Sequence, residues 1–507
     1  ILASKSSKSR EGAFDVLHDA EDNGQKKRTP ILRDDIAEQF DKITMDGQNL
    51  SPSASAIVIF VELVRSSIRH VQRPSSKLVS LQLLRRLSKV TSDEIRLHRI
   101  VPSVVFLLQD SEAMVRAAAI SALASILVTI KSFPPSDSQL FPQYIFKRVE
   151  HCASDPSLTV RDAFARSISV LAVSALRFLD IGNAIKINEV ADTLSANALD
   201  NNSAVPAFSD AVTDELLGGD TSSGASSPNK QVAKKGHDYK KPSDLLIQST
   251  YESDLASLRN TVSRWVVAIA TDASETAALP KRSLLCGIAQ LCSFFGLEGV
   301  LTYVLPQVLA FLNDRRDWQL RALLCQRLPS ICVVIGRAST AHFVIPCIET
   351  ALVDSNERVV CCAISCLTEL NNLGLITRAM LLGCSKIGKG GPGIIEKYSV
   401  MCVHPSACIR NEYVSLFSSS FSSLGSPDDV VFLLPIIRPF IRYEPPRNQL
   451  TDASNLTLCL LPPMSRERFD MELSQVTSVI LNGSETSATN SSTVKSSSGR
   501  DQRRSDP

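Results

Sequence analysis

The chain has 507 residues, with 54 Lys and Arg against 52 Asp and Glu, a formal net charge of +2. That near-neutral balance argues against wholesale nucleic-acid binding, and the length exceeds what one hydrophobic core supports unless successive units pack only on their neighbours. The 13 cysteines fall singly or as Cys361, Cys362 and Cys366, without Cys-x-x-Cys spacing beside histidines, which predicts reduced core thiols and no zinc site.

Residues 1–52 are polar and charged, with Lys26, Lys27 and Arg28 in a row, and read as a disordered linker. The chain starts at Ile1, which predicts that the natural protein extends further N-terminally. No signal peptide and no uninterrupted run of eighteen apolar residues is found, the best run, 56–64, being broken by Glu62, so a soluble, cytoplasmic chain is expected. A first block of helices spans 53–200. Ser75 and Ser76 offer N-caps for a helix carrying Leu78, Leu81, Leu84 and Leu87. Residues 98–130 then read as two helices. Pro102 should kink the first, and Asp110 caps the start of the second, which repeats Val115, Ala119, Leu123, Ile126 and Ile130 at steps of three or four. Asp155 caps the next helix, with Val160, Phe164, Ile168, Leu171 and Phe178 as its buried face.

Residues 201–247 lack an aliphatic face and read as a disordered insertion. Helical patterns resume near Tyr251 and fill a second block, 248–470, before a Ser/Thr-rich tail, 471–507.

The two blocks share a repeat. Pro to Asp is eight residues in Pro102/Asp110, Pro306/Asp314 and Pro346/Asp354. The start of the second helix recurs as Val115-Arg116, Val160-Arg161, Leu320-Arg321 and Ile409-Arg410, with Val359-Val360 as a copy lacking the Arg. A two-helix unit recurring every ~40 to 47 residues defines an all-α solenoid of HEAT or armadillo type. An Arg at one fixed place in each unit is expected to pair with the Asp of an adjacent unit and set register, rather than to recognise a partner.

No catalytic constellation emerges. Gly383 to Lys389 has the spacing of a phosphate-binding loop, but Gly390 stands where Ser or Thr must hold magnesium, and a helix rather than a buried strand precedes it. His98-Arg99 is followed by Ile100, and Phe294-Phe295-Gly296 is preceded by Ser293, so neither supplies the carboxylate a protein kinase needs. No metal ligand set and no cofactor are expected. Lys230, Lys234, Lys235, Lys240 and Lys241 read as a solvated linker.

The runs at 93–102 (DEIRLHRIVP), 133–137 (FPPSD), 175–179 (ALRFL), 291–296 (LCSFFG) and 311–321 (FLNDRRDWQLR) resemble the HEAT-repeat region of the regulatory subunit of class III phosphatidylinositol 3-kinase, over about residues 54–475 without the insertion. Several of these runs lie in loops, which helical periodicity does not dictate. The resemblance implies a non-catalytic scaffold for the lipid-kinase catalytic subunit and its coiled-coil partners, peripheral on endosomal or autophagic membranes through that complex. The protein-kinase-like domain and WD-repeat propeller of that family find no counterpart in this sequence. A generic HEAT adaptor, such as a transport receptor or phosphatase scaffold, is the competing reading.

Overall fold

The computed structural model describes residues 52–200, 242–274, 276–383, 392–423, 429–444, 446 and 450–474. They form a stack of helix pairs, an all-α solenoid, with only two isolated backbone bridges, Gly383 to Pro392 and Ile441 to Leu460, among the described residues.

The first helix of several units carries a π turn at a constant place. These turns span Arg96–Ile100, Val300–Val304, Thr340–Val344 and Asp429–Leu433, each ending two residues before a proline, Pro102, Pro306, Pro346 or Pro435. A proline lacks the N–H and its ring clashes with the carbonyl four residues back. Widening the preceding turn relieves that clash, so the sharp kink expected at Pro102 is taken up as a π turn. Proline does not create the feature alone, because Phe141–Ile145 makes the same turn with Lys147 at the proline's place.

The second helices pack on one another in series. In α4 (Ala113–Thr129), Val115, Ala119 and Leu123 are fully shielded, and so is Ile126; in α6 (Leu158–Asp200), Val160, Phe164, Ile168 and Leu171 are too. α4 also buries Ile120, Ala122, Ala124 and Leu127, because it packs against three elements at once: α2 (Pro74–Leu87), α3 (residues 93–109) and α6. A helix apolar on nearly all sides is what a position between two neighbours and a partner requires. α2 starts with Pro74 in its first turn and Arg73 as N-cap, so Ser75 and Ser76 lie inside the helix and cap nothing. The stack is opened by α1 (Pro52–His70).

α6 runs to Asp200, and α7 (Pro242–Thr271) begins inside the stretch expected to be insertion. Residues 201–241, with the five lysines of the basic cluster, lie outside the described residues, as do 1–51 and 475–507. The tail boundary also shifts, since a helix occupies 466–474. Aromatic side chains join the chain on either side of the insertion. Trp265 of α7 meets Phe146 and Phe164 edge-on with centroids 4.9 and 5.3 Å away.

By mean hydropathy, three helical stretches are long and apolar enough to cross a membrane, 158–189, 288–313 and 318–351, contrary to the expectation of none. The second is broken at Gly296 (φ 68°) and the third at Gly336 (φ 76°), where only glycine adopts the left-handed backbone that turns one helix into the next without strain. Their apolar residues are the repeat core, including Phe294, Phe295, Leu320, Leu324 and Leu328.

Candidate functional site: the two edges of the stack

One edge is lined by the turns between first and second helices. The repeated aspartates do not cap the helix directly. N-caps fall at Glu112, Asp317 and Asn356, two or three residues after Asp110, Asp314 and Asp354. Each aspartate instead closes an Asx turn by accepting the backbone N–H two residues on: Asp110 from Glu112 (3.0 Å), Asp155 from Ser157 (2.8 Å), Asp314 from Arg316 (3.0 Å) and Asp354 from Asn356 (2.8 Å). Asp272 does the same with Ser274 (2.9 Å), a copy that the spacing concealed because its unit follows the insertion.

The repeated arginines tie consecutive turns together. Arg116 donates Nη1 to the Asp110 carbonyl of its own turn (2.8 Å), while Nε and Nη2 grip both carboxylate oxygens of Asp155 in the next unit, at 2.8 Å each. Arg321 repeats this arrangement, with Nη1 on the Asp314 carbonyl (2.6 Å) and the fork on Asp354 at 2.6 and 2.9 Å. One link earlier, Lys77 meets Asp110 at 2.5 Å. Arg282 lies 3.2 Å from Asp317. Burial is the largest single influence and opposes ionisation of Asp155, Asp354 and Asp110, yet the hydrogen bonds and charges of Arg116, Arg321 and Lys77, together with the Asx-turn N–H of each, add up to more and hold all three below the usual carboxylate range.

Two positions depart from the expected pairing. Arg161 keeps its own-turn bonds to the Asp155 and Pro156 carbonyls but reaches Thr276 Oγ1 (2.9 Å) rather than an aspartate. Arg410 donates to the His404 and Pro405 carbonyls at 2.6 and 2.8 Å and meets no aspartate among the described residues. Val160, Leu320, Val359 and Ile409 are all buried beside these turns. Where Val360 replaces the arginine, the following turn replaces the aspartate as well. Nδ1 of buried His404 accepts the Ser406 N–H at 2.9 Å, and burial pushes that imidazole towards its neutral form, which the acceptor role requires.

A second row of arginines lines the opposite edge, and sequence reasoning missed it. Arg96 donates to the Ser88 and Thr129 carbonyls, Arg177 to Leu127 and Val128, Arg259 to Phe294, and Arg337 to Gly374 through Nε and Nη2 at 3.0 and 2.7 Å. Each satisfies carbonyls left unpaired where a second helix ends.

Along both edges, the described residues assemble no catalytic set. Among the described residues no group of three or more His, Cys, Asp or Glu is placed to hold a metal ion. Ile100 is buried in the helix interior, and Phe294 and Phe295 are core residues at a helix end. Residues 384–391, most of the phosphate-loop-like stretch, lie outside the described residues. Burial pushes the thiols of Cys152, Cys292, Cys325 and Cys402 up to about 12, so these cysteines are packing groups rather than nucleophiles.

Stacked helix pairs locked at both edges define a HEAT-type repeat solenoid. The model of the PIK3R4-like middle domain matches residues 60–218 and 220–473, so this chain belongs to that family, the middle region of phosphatidylinositol 3-kinase regulatory subunits. It is 30% identical over 424 residues to the probable serine/threonine-protein kinase vps15 of Dictyostelium discoideum, covering 81% of this chain and 18% of that protein. Serine/threonine-protein kinase VPS15 of Arabidopsis thaliana is 29% identical over 412 residues, covering 81% and 24%. The chain thus spans no more than about a quarter of the length of these two relatives. Among solved structures, the karyopherin Kap121p aligns over 88% of this chain and 45% of its own with a TM-score of 0.29 and 11% identity.

Proposed function

We propose that this chain is a non-catalytic scaffold segment that holds the catalytic subunit of class III phosphatidylinositol 3-kinase and its coiled-coil partners together for endosomal sorting and autophagy. It works in the cytoplasm and reaches endosomal or autophagic membranes through the assembled complex. The observation that carries the reading is the family match across nearly the whole helical stack. The stack itself supports a scaffold role, because serial helix pairs present an extended surface to partners. The non-catalytic half is supported by the kinase-like fragments, whose Ile100, Phe294 and Phe295 are spent on packing.

Co-purification tests it. The homogeneous chain is expected to retain the lipid-kinase catalytic subunit and to transfer no phosphate from ATP to protein. Loss of the catalytic subunit from this chain, when the full-length regulatory subunit retains it, would place binding elsewhere. ATP-dependent phosphorylation that persists through purification would overturn the non-catalytic half.

A further inference from the structure

One step of the arginine ladder is unfinished. Arg116 and Arg321 each close the fork of Nε and Nη2 on both carboxylate oxygens of the next turn's aspartate. Arg161 stands at the same place on α6 and likewise gives Nη1 to its own turn. Its Nη2, however, meets only the neutral Thr276 hydroxyl at 2.9 Å, and its Nε is buried without a hydrogen-bond partner among the described residues. The receiving turn is longer than its counterparts. N-caps follow Asp110, Asp314 and Asp354 by two or three residues, whereas Ala277 follows Asp272 by five, and Thr276 rather than Asp272 stands before the guanidinium.

The turn is also open to an enzyme. Thr276 is exposed between α7 and the helix Ala278–Cys286. Clefts of about 390 and about 590 Å³ flank the turn, both lined by Asp272 and Ser274. Two cations face one carboxylate here. Burial opposes ionisation of Asp272, but the Ser274 N–H and hydroxyl, with the charges of Arg161 and Lys281, hold it below the usual range.

We propose that Thr276 is a phosphorylation site whose phosphate completes the ladder between the helices before and after the insertion. A threonine-directed protein kinase supplies the phosphoryl group from ATP. The bond from the γ-phosphorus to the β–γ bridging oxygen breaks, a bond to Thr276 Oγ1 forms, ADP leaves, and the hydroxyl proton passes to the kinase's base. The product carries about −1.5 to −2 charges at neutral pH on three acceptor oxygens. Two of these match the Arg161 fork as the carboxylate oxygens of Asp155 and Asp354 match Arg116 and Arg321, and such bidentate pairs are among the strong ones. Arg161 and Thr276 are 115 residues apart in sequence, so the modification acts on a long-range tie. Without it this step rests on one neutral hydrogen bond; with it, on a charged fork.

The test encodes phosphothreonine at position 276 of the full 507-residue chain and follows denaturant unfolding. Phosphorylation is expected to raise the folding equilibrium constant roughly tenfold in the parent, and by less than about twofold in Arg161→Gln. Should Arg161→Gln not fold, Arg161→Lys replaces it, keeping the charge without the fork and recovering only part of the gain. No gain in the parent, or a full gain in either variant, overturns the proposal. Phosphorus NMR reads the contact directly: the second ionisation of the phosphate, about 6 in the unfolded chain, is expected to fall in the folded parent, and an unchanged value overturns the fork. In the cells that make the protein, mass spectrometry is expected to find phosphate on Thr276; its absence there, or phosphate on Ser274 alone, overturns the assignment. Inorganic phosphate that stabilises Thr276→Val as much as the covalent phosphate stabilises the parent would make the fork a free-anion site and overturn it too.

Discussion

Arg321 and Asp354 show what a single inter-repeat contact contributes. Their side chains are only 6% and 12% exposed, and the guanidinium binds both carboxylate oxygens, so removing it leaves a shielded carboxylate with the Asn356 N–H and the Ser355 side chain but no cation paired with it. Arg321→Ala is expected to destabilise the stack by about 2–4 kcal/mol, read from the denaturant midpoint. Arg321→Lys recovers only part, since an ammonium cannot make the fork. Val360 and His404 supply a stricter check. Val360→Arg alone buries a cation facing a neutral ring, and His404→Asp alone buries an unpaired carboxylate. The double substitution recreates the pairing of Arg321 with Asp354 and is expected to be more stable than either single, with a coupling of roughly 1–3 kcal/mol. Zero coupling would show that the two positions do not face each other as the neighbouring units do.

At the level of elements, the second helices were legible because Val115, Ala119, Leu123 and their counterparts repeat at helical spacing, a purely local signal. The Pro-to-Asp interval marked the turns for the same reason. The π turns were not legible, since Lys147 sits where Pro102 sits and the backbone widens all the same. Nor was the row of Arg96, Arg177, Arg259 and Arg337, because its acceptors are main-chain carbonyls, which carry no residue signature. The aspartates sit in the turns two or three residues ahead of the N-caps rather than at them, an offset that only the hydrogen-bond geometry reveals. Aromatic packing across the insertion has a testable consequence. Excision of residues 205–238 is expected to leave the melting temperature unchanged, because Trp265 already joins α7 to Phe146 and Phe164. Trp265→Ala in the intact chain costs about 3–5 kcal/mol.

For the whole molecule, the two edges respond differently to acid. Asp110, Asp155 and Asp354 have depressed pKa values in the folded state, so their contribution is complete above roughly pH 5. It is lost as pH falls through the unfolded-state value near 3.9 towards the lower folded values. At the other edge, Arg177, Arg259 and Arg337 donate to neutral carbonyls that do not titrate. Acidification therefore loosens one side of the stack more than the other, where arginines grip main-chain carbonyls even though Asp93 also ties Arg96 to Lys131 and Ser132, and the molecule should bend as a bimetallic strip does when one metal expands more than the other. Small-angle scattering between pH 5 and 3 is expected to register altered curvature before helical circular dichroism declines; simultaneous loss of both would mean that the edges are not mechanically independent.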